Sequence, residues 1–208
     1  MLSLSKSKFI PPLAVHDALH EKGVALFTPQ EFSRIFKVSS RQTRYFLEAY
    51  TKRGLLVRLK QGLYALKEML PNEEVVANAL YKPSYISLEY ALARYGVIPE
   101  MPYTITSVTT RATASFSVRD KEFSYKKIKR EAFTGYRPER IGEQTIFIAD
   151  PEKALADYLY FVSLGKKTLN DRLMLRRLEH KKILSYAKLF GREGLNELVK
   201  DIIKIKPT

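Results

Sequence analysis

The stretch TPQEFSRIFKVSSRQTRYFLEAYTKRGLLVRLKQGLYA, residues 28–65, decides the fold of the N-terminal third. Thr28, Pro29 and Glu31 supply an N-cap, a first-turn proline and a capping-box carboxylate, so a helix starts there. Phe32, Ile35 and Phe36 give that helix one apolar stripe. Lys37-Val38-Ser39 reads as a tight turn, and Ser39 with Gln42 forms a second box that opens the next helix. In this helix Thr43, Phe46, Leu47 and Tyr50 fall at i, i+3, i+4 and i+7 and should be buried. Arg41, Arg44, Tyr45, Glu48 and Lys52 occupy the opposite stripe and face solvent, and Gly54 ends the helix after Arg53. Leu55 to Leu66 reads as two short strands around Lys60-Gln61-Gly62, with Gly62 free to take a positive φ. Helix, turn, basic helix and hairpin together outline a winged helix-turn-helix. A helix whose exposed face carries arginines near its N-terminus suits a DNA major groove.

Each exposed residue then has an expected task. Arg41 and Arg44 are candidates for base edges, because a guanidinium pairs bidentately with guanine. Ser40, Gln42 and Tyr45 add base or phosphate contacts, and Lys52 meets either Glu48 at i, i+4 or a phosphate. Arg58 and Lys60, on the candidate wing, are placed for phosphates or the minor groove.

Upstream, a helix runs from Pro11-Pro12 to Lys22 and stops at Gly23, with Leu13, Val15, Ala18 and Leu19 as its apolar side. Downstream, Pro71 and Pro83 bracket a short helix, Glu73 to Leu80, read as a connector. The expected division is 1–70 for the DNA-binding domain, 71–84 for the connector and 85–208 for a C-terminal domain. That domain begins with a helix from Leu88 to Tyr95, closed by Gly96 and Pro99. Four β-rich runs follow, at 103–110, 114–118, 122–128 and 145–148, and then a helix opened by Asp150-Pro151-Glu152 with Leu155, Tyr158, Leu159 and Val162 as its stripe. Asn170 to Lys206 reads as a helical tail. The expected class is α+β: a winged helix-turn-helix, then a mixed α/β domain with a small, mainly antiparallel sheet and a helical tail.

Charge points the same way. The formal net charge is +14 over 208 residues. Residues 1–70 hold 12 Lys/Arg against 5 Asp/Glu, residues 71–149 hold 11 against 9, and residues 150–208 hold 13 against 8. Half the excess thus sits in the segment that reads as DNA-binding, which favours a polyanionic partner. There is no cysteine, so disulfides and thiolate metal sites are excluded. Met1 to Lys8 lacks the long apolar core of a signal peptide, and no run of 18 apolar residues exists. The expectation is a cytoplasmic protein with no membrane partner.

Several segments in order resemble a known family. Tyr85-Ile86-Ser87-Leu88-Glu89, Tyr95-Gly96-Val97-Ile98-Pro99-Glu100, Thr106-Ser107-Val108-Thr109-Thr110 and Ala149-Asp150-Pro151-Glu152-Lys153-Ala154-Leu155 are similar to the AbiEi family of abortive-infection antitoxins and transcriptional regulators. Phe133-Thr134-Gly135-Tyr136 and Gly62-Leu63-Tyr64-Ala65-Leu66 also resemble family patterns. The resemblance spans roughly residues 10–165 and is strongest between 85 and 160; Arg172 to His180 departs from it in being unusually basic. It implies a winged helix joined to an α/β domain, binding to inverted repeats in the chain's own promoter, and repression of the operon. It also implies counteraction of a nucleotidyltransferase-like toxin in a type IV, phage-defence system, credited to the C-terminal domain. Inverted repeats call for two copies on the duplex.

Other residues invite sharper readings. Lys126, Lys127, Lys129 and Arg130 form the densest basic cluster, a second candidate patch for nucleic acid or an acidic protein, or a lysine-guarded sheet edge. On a continuous strand Tyr125, Lys127 and Lys129 would share a face. His16 and His20 at i, i+4 resemble a zinc-binding pair, but only His180 remains as a third histidine, so a structural role is preferred. Asp150-Pro151-Glu152-Lys153 suggests nuclease chemistry, yet a capped helix start explains it better. No active-site constellation, Gly-rich phosphate loop or cofactor motif stands out, so a non-enzymatic regulator without cofactor or metal is expected. The rival is an interaction protein that does not bind DNA and whose basic C-terminal domain clamps an acidic toxin or its RNA.

Overall fold

Local capping chemistry sets the N-terminal helices. In the computed structural model, which describes residues 10–205, Pro12–Glu21 (α1) is followed by a two-residue strand, Leu26–Phe27 (β1). The expectations for Met1 to Lys8 and for the end of the tail at Lys206 lie outside the described residues. Pro29–Phe36 (α2) begins with both halves of its box in place: Thr28 Oγ1 accepts from the Glu31 N–H at 3.3 Å, and Glu31 Oε2 accepts from the Thr28 N–H at 2.7 Å. Lys37 turns the chain with a left-handed φ of 51°, and Ser33 Oγ donates to the Val38 carbonyl at 2.6 Å. Ser40–Lys52 (α3) opens with the second box, Ser39 with Gln42.

The hairpin Leu56–Lys60 (β2) and Leu63–Leu66 (β3) completes an antiparallel three-stranded sheet of order β1-β3-β2. Val15, Leu19, Phe27, Phe32, Phe36, Phe46, Leu47, Tyr50, Leu56 and Leu66 form one core. Tyr50 donates its hydroxyl to the Ile10 carbonyl, and the Phe46 and Tyr50 rings stack with centroids 5.6 Å apart. Leu13, expected on the apolar side of α1, is instead exposed, because the buried stripe narrows to Val15 and Leu19. The first unit is thus a helix-turn-helix flanked by a small sheet.

The second compact unit begins at Glu73. Glu73–Leu80 (α4), expected as a connector, belongs to this unit and buries Val76, Ala77 and Leu80. Then come Ser84–Ile86 (β4), Leu88–Arg94 (α5), Ile105–Thr109 (β5), Ala114–Val118 (β6), Lys121–Lys127 (β7), Tyr136–Ile141 (β8) and Gln144–Ala149 (β9). Pro151–Ser163 (α6), His180–Lys188 (α7) and Glu193–Ile205 (α8) follow.

The six strands run β6-β7-β5-β4-β9-β8. β5–β7 and β4–β9 pair parallel and the other three pairs antiparallel, so the sheet is mixed where a mainly antiparallel one was expected. Two strands of this sheet, like β1 of the first, are not marked in the sequence. β4 has only three residues, too few to show a period of two. β8 carries Arg137, Pro138 and Arg140 on an exposed edge, where proline needs no donor and no apolar alternation develops. The tail also differs: 170–179 is irregular, and the two-residue step between the buried Leu173 and Leu175 does not fit one face of a helix.

Register fixes what covers each face. Tyr85 sits beside Val108, and Tyr125 beside Ser107, so the two tyrosines point to opposite faces. Tyr125 donates at 2.5 Å to the Ala77 carbonyl on α4, and Tyr85 donates at 3.2 Å to Asp157 on α6. The sheet is sandwiched between α4 and α6.

Candidate nucleic-acid interface

α3 lies at the centre of a groove of about 1040 Å3, with α2 on one side and the β2–β3 hairpin on the other. Its exposed stripe follows from the buried one. Because Thr43, Phe46, Leu47 and Tyr50 face the core, Ser40, Arg44, Glu48 and Thr51 stand outward over the groove. α2 contributes Gln30, Ser33 and Arg34; the hairpin contributes Arg58, Gln61, Gly62 and Tyr64. Gly62 takes a φ of +78°, which lets the turn fold tightly at the rim.

Among the described residues, four cationic side chains (Arg34, Arg44, Lys52 and Arg58) face this groove with a single carboxylate, Glu48. Lys52 Nζ donates to Glu48 Oε1 at 2.9 Å, with both side chains largely exposed. The bond pulls the Glu48 carboxyl below its ordinary range and pushes the Lys52 ammonium above its own, so each keeps the other charged.

The residues nominated from sequence divide here. Ser40, Arg44, Lys52 and Arg58 line the groove. Arg41 and Tyr45 are exposed on the flank of α3, with the Tyr45 ring set edge-on to Phe46 at 5.7 Å. Gln42 is committed locally: its Oε1 accepts from the Ser39 N–H and hydroxyl, both at 3.0 Å. Lys60 is half-buried and lies outside the lining, because a register shift between Arg58 and Lys60 breaks the strand's alternation. Sequence reading passed over Arg34, which shares α2's exposed face, and the groove-facing Gln30, Thr51 and Gln61. A helical-wheel projection that kept α2 and α3 side by side would have found Arg34.

The second basic patch does not form one face. β7 ends at Lys127, so Lys126 and Lys127 leave it on opposite sides. Lys129 Nζ donates at 2.8 Å to the Phe190 carbonyl just beyond α7, and Arg130 opens a single 3-10 turn. Asp150 is at the N-cap position of α6 but makes no side-chain cap; its carboxylate accepts from the Tyr186 hydroxyl at 3.1 Å and pairs with Lys182 and Arg137. His16 pairs with Asp17 and Glu68, and its ring stacks on His20 at 5.8 Å.

The family model described as transcriptional regulator, AbiEi antitoxin matches residues 17–67, from within α1 to the end of the hairpin. Over that stretch the chain is similar to this family. The matched stretch contains the entire groove, α2, α3 and both hairpin strands, so the similarity to transcriptional regulators and antitoxins falls on the helix-turn-helix. The match spans about a quarter of the chain and lies outside 85–160, where the resemblance read from sequence is strongest. No curated protein matches the chain. Among the described residues no helix is long and apolar enough to cross a membrane.

Proposed function

We propose that this chain is a DNA-binding transcriptional autorepressor of the AbiEi type and an antitoxin against a nucleotidyltransferase-like toxin, working without enzymatic chemistry in the cytoplasm. The observation that carries the reading is the four-cation groove centred on α3 inside the family-matched stretch. In this reading α3 enters the major groove, which is about 12 Å wide and admits one helix. The β2–β3 hairpin serves as the wing, with Arg58 against a phosphate. Arg34 and Arg58 supply affinity by displacing counterions, while Arg44 reads a base edge. Arg41 and Tyr45, on the flank of α3, reach the neighbouring backbone. Two copies occupy the two halves of an inverted repeat. The second unit carries the neutralising surface.

A separation of functions tests the proposal. A reporter driven by the chain's own upstream region measures repression, and growth during co-expression of a nucleotidyltransferase-like toxin, sought in the neighbouring reading frames, measures protection. Arg44→Ala is expected to release the reporter while protection persists. Full repression by Arg44→Ala contradicts the assignment of α3, and absence of protection by the unaltered chain contradicts the antitoxin half.

A further inference from the structure

Among the described residues Glu48 is the single carboxylate lining the groove, which Arg34, Arg44, Lys52 and Arg58 also line. A carboxylate in a surface that binds phosphate weakens every phosphate contact near it, so a purely electrostatic site has no use for one. Its bond to Lys52 joins two exposed side chains in water and contributes little stability. The position therefore needs another explanation, and base recognition supplies one. An ionised carboxylate accepts hydrogen bonds and cannot donate, and cytosine presents its N4 amine in the major groove. Guanine O6 and N7 and thymine O4 present only acceptors, which a carboxylate repels, and adenine sets its N7 acceptor beside its N6 amine, so it suits a carboxylate less than cytosine does.

We infer that Glu48 is a specificity residue of the DNA site, selecting cytosine through its N4 amine, with Lys52 fixing the carboxylate's direction. This rests on the DNA-binding reading above. Arg44 and Glu48 are four residues apart on one face of α3. Four helical residues rise about 6 Å, close to two base-pair steps. The preferred site thus has a guanine under Arg44 and a cytosine about two base pairs away under Glu48.

The experiment is selection of bound sequences from a pool of random duplex DNA, using the full chain as wild type, Glu48→Ala and Glu48→Gln. The wild type is expected to prefer cytosine by about tenfold at one position near a conserved guanine. Glu48→Ala flattens that position and leaves the others, while raising affinity for unrelated duplex. Glu48→Gln moves the preference toward adenine, whose N6 and N7 suit a carboxamide. Identical preferences in all three proteins, or equal weakening on every sequence, overturn the inference and leave DNA binding standing; equal weakening is what loss of a helix-stabilising ion pair alone would give. A wild-type chain that enriches no sequence removes the operator reading itself, and this inference with it.

Discussion

Lys153 and Asp157, one turn apart on α6, form an ion pair with neither side chain exposed to solvent. The Asp157 carboxylate also accepts from Ser87 Oγ at 2.7 Å and from Tyr85 at 3.2 Å, and the Lys153 ammonium lies 4.8 Å from the centre of the Phe190 ring. Burial pushes the Asp157 carboxyl upward, and Lys153 is the strongest opposing influence. The pair ties α6 to β4 at the centre of the second unit.

Removing one partner leaves a buried charge uncompensated. Lys153→Met is expected to lower stability by about 3–5 kcal/mol, read as a lower denaturation midpoint in urea. Lys153→Met combined with Asp157→Leu should recover much of that loss, because no lone charge remains. A single variant as stable as the wild type would contradict this description of the core.

Gly135 has a φ of +72°, and a Cβ there would meet the Tyr186 ring at 2.6 Å. The same ring's hydroxyl donates to Asp150, so it cannot retreat without losing that bond. Gly135→Ala should cost about 2 kcal/mol or more from overpacking and backbone strain together. Thermal unfolding checks this, and an unchanged midpoint would mean the ring is free to move.

His16 titrates above its ordinary 6.5, chiefly through its hydrogen bond to Asp17, with Glu68 adding to the effect and burial opposing it. A folded-state value above the unfolded one means that the stabilisation is complete below pH 6.5 and fades as pH rises through the raised value. An NMR titration of the His16 ring should show the elevation, and Asp17→Asn should bring it down. An identical titration in the variant would contradict the pairing.

The hairpin offers a paired comparison. Arg58→Ala should weaken binding to all duplexes alike and reduce the salt slope by about one, as expected for a lost phosphate contact. Lys60→Ala should change both much less, since Lys60 lies outside the groove lining. Equal effects from the two would show that Lys60 swings into the interface.

Wherever local rules act, the sequence is readable. The boxes at Thr28 and Ser39 mark two helix starts, and the 3.6-residue spacing of Thr43, Phe46, Leu47 and Tyr50 gives the buried side of α3. From that side Arg44 follows as groove-facing. What lies beyond local reading depends on pairing at a distance. The bulge that separates Arg58 from Lys60 exists only once β3 is beside β2. Arg34 joins the site because the turn at Lys37 folds α2 against α3. β4 acquires strand identity from β5 and β9 rather than from its own three residues, and Lys129 is drawn from the basic cluster by a carbonyl 61 residues away.

Whether the α3 groove binds a duplex is settled most directly by fluorescence anisotropy of labelled DNA from the chain's own upstream region, titrated over a range of salt with wild type and Arg44→Ala. Binding should fall with a log–log salt slope of about −3 or steeper, from at least three phosphate-neutralising cations at about −0.9 each. Arg44→Ala should keep much less of the preference for this duplex over an unrelated one than wild type does. A salt-independent affinity, or a variant whose preference for its upstream sequence equals that of wild type, would contradict the placement of the DNA site on α3.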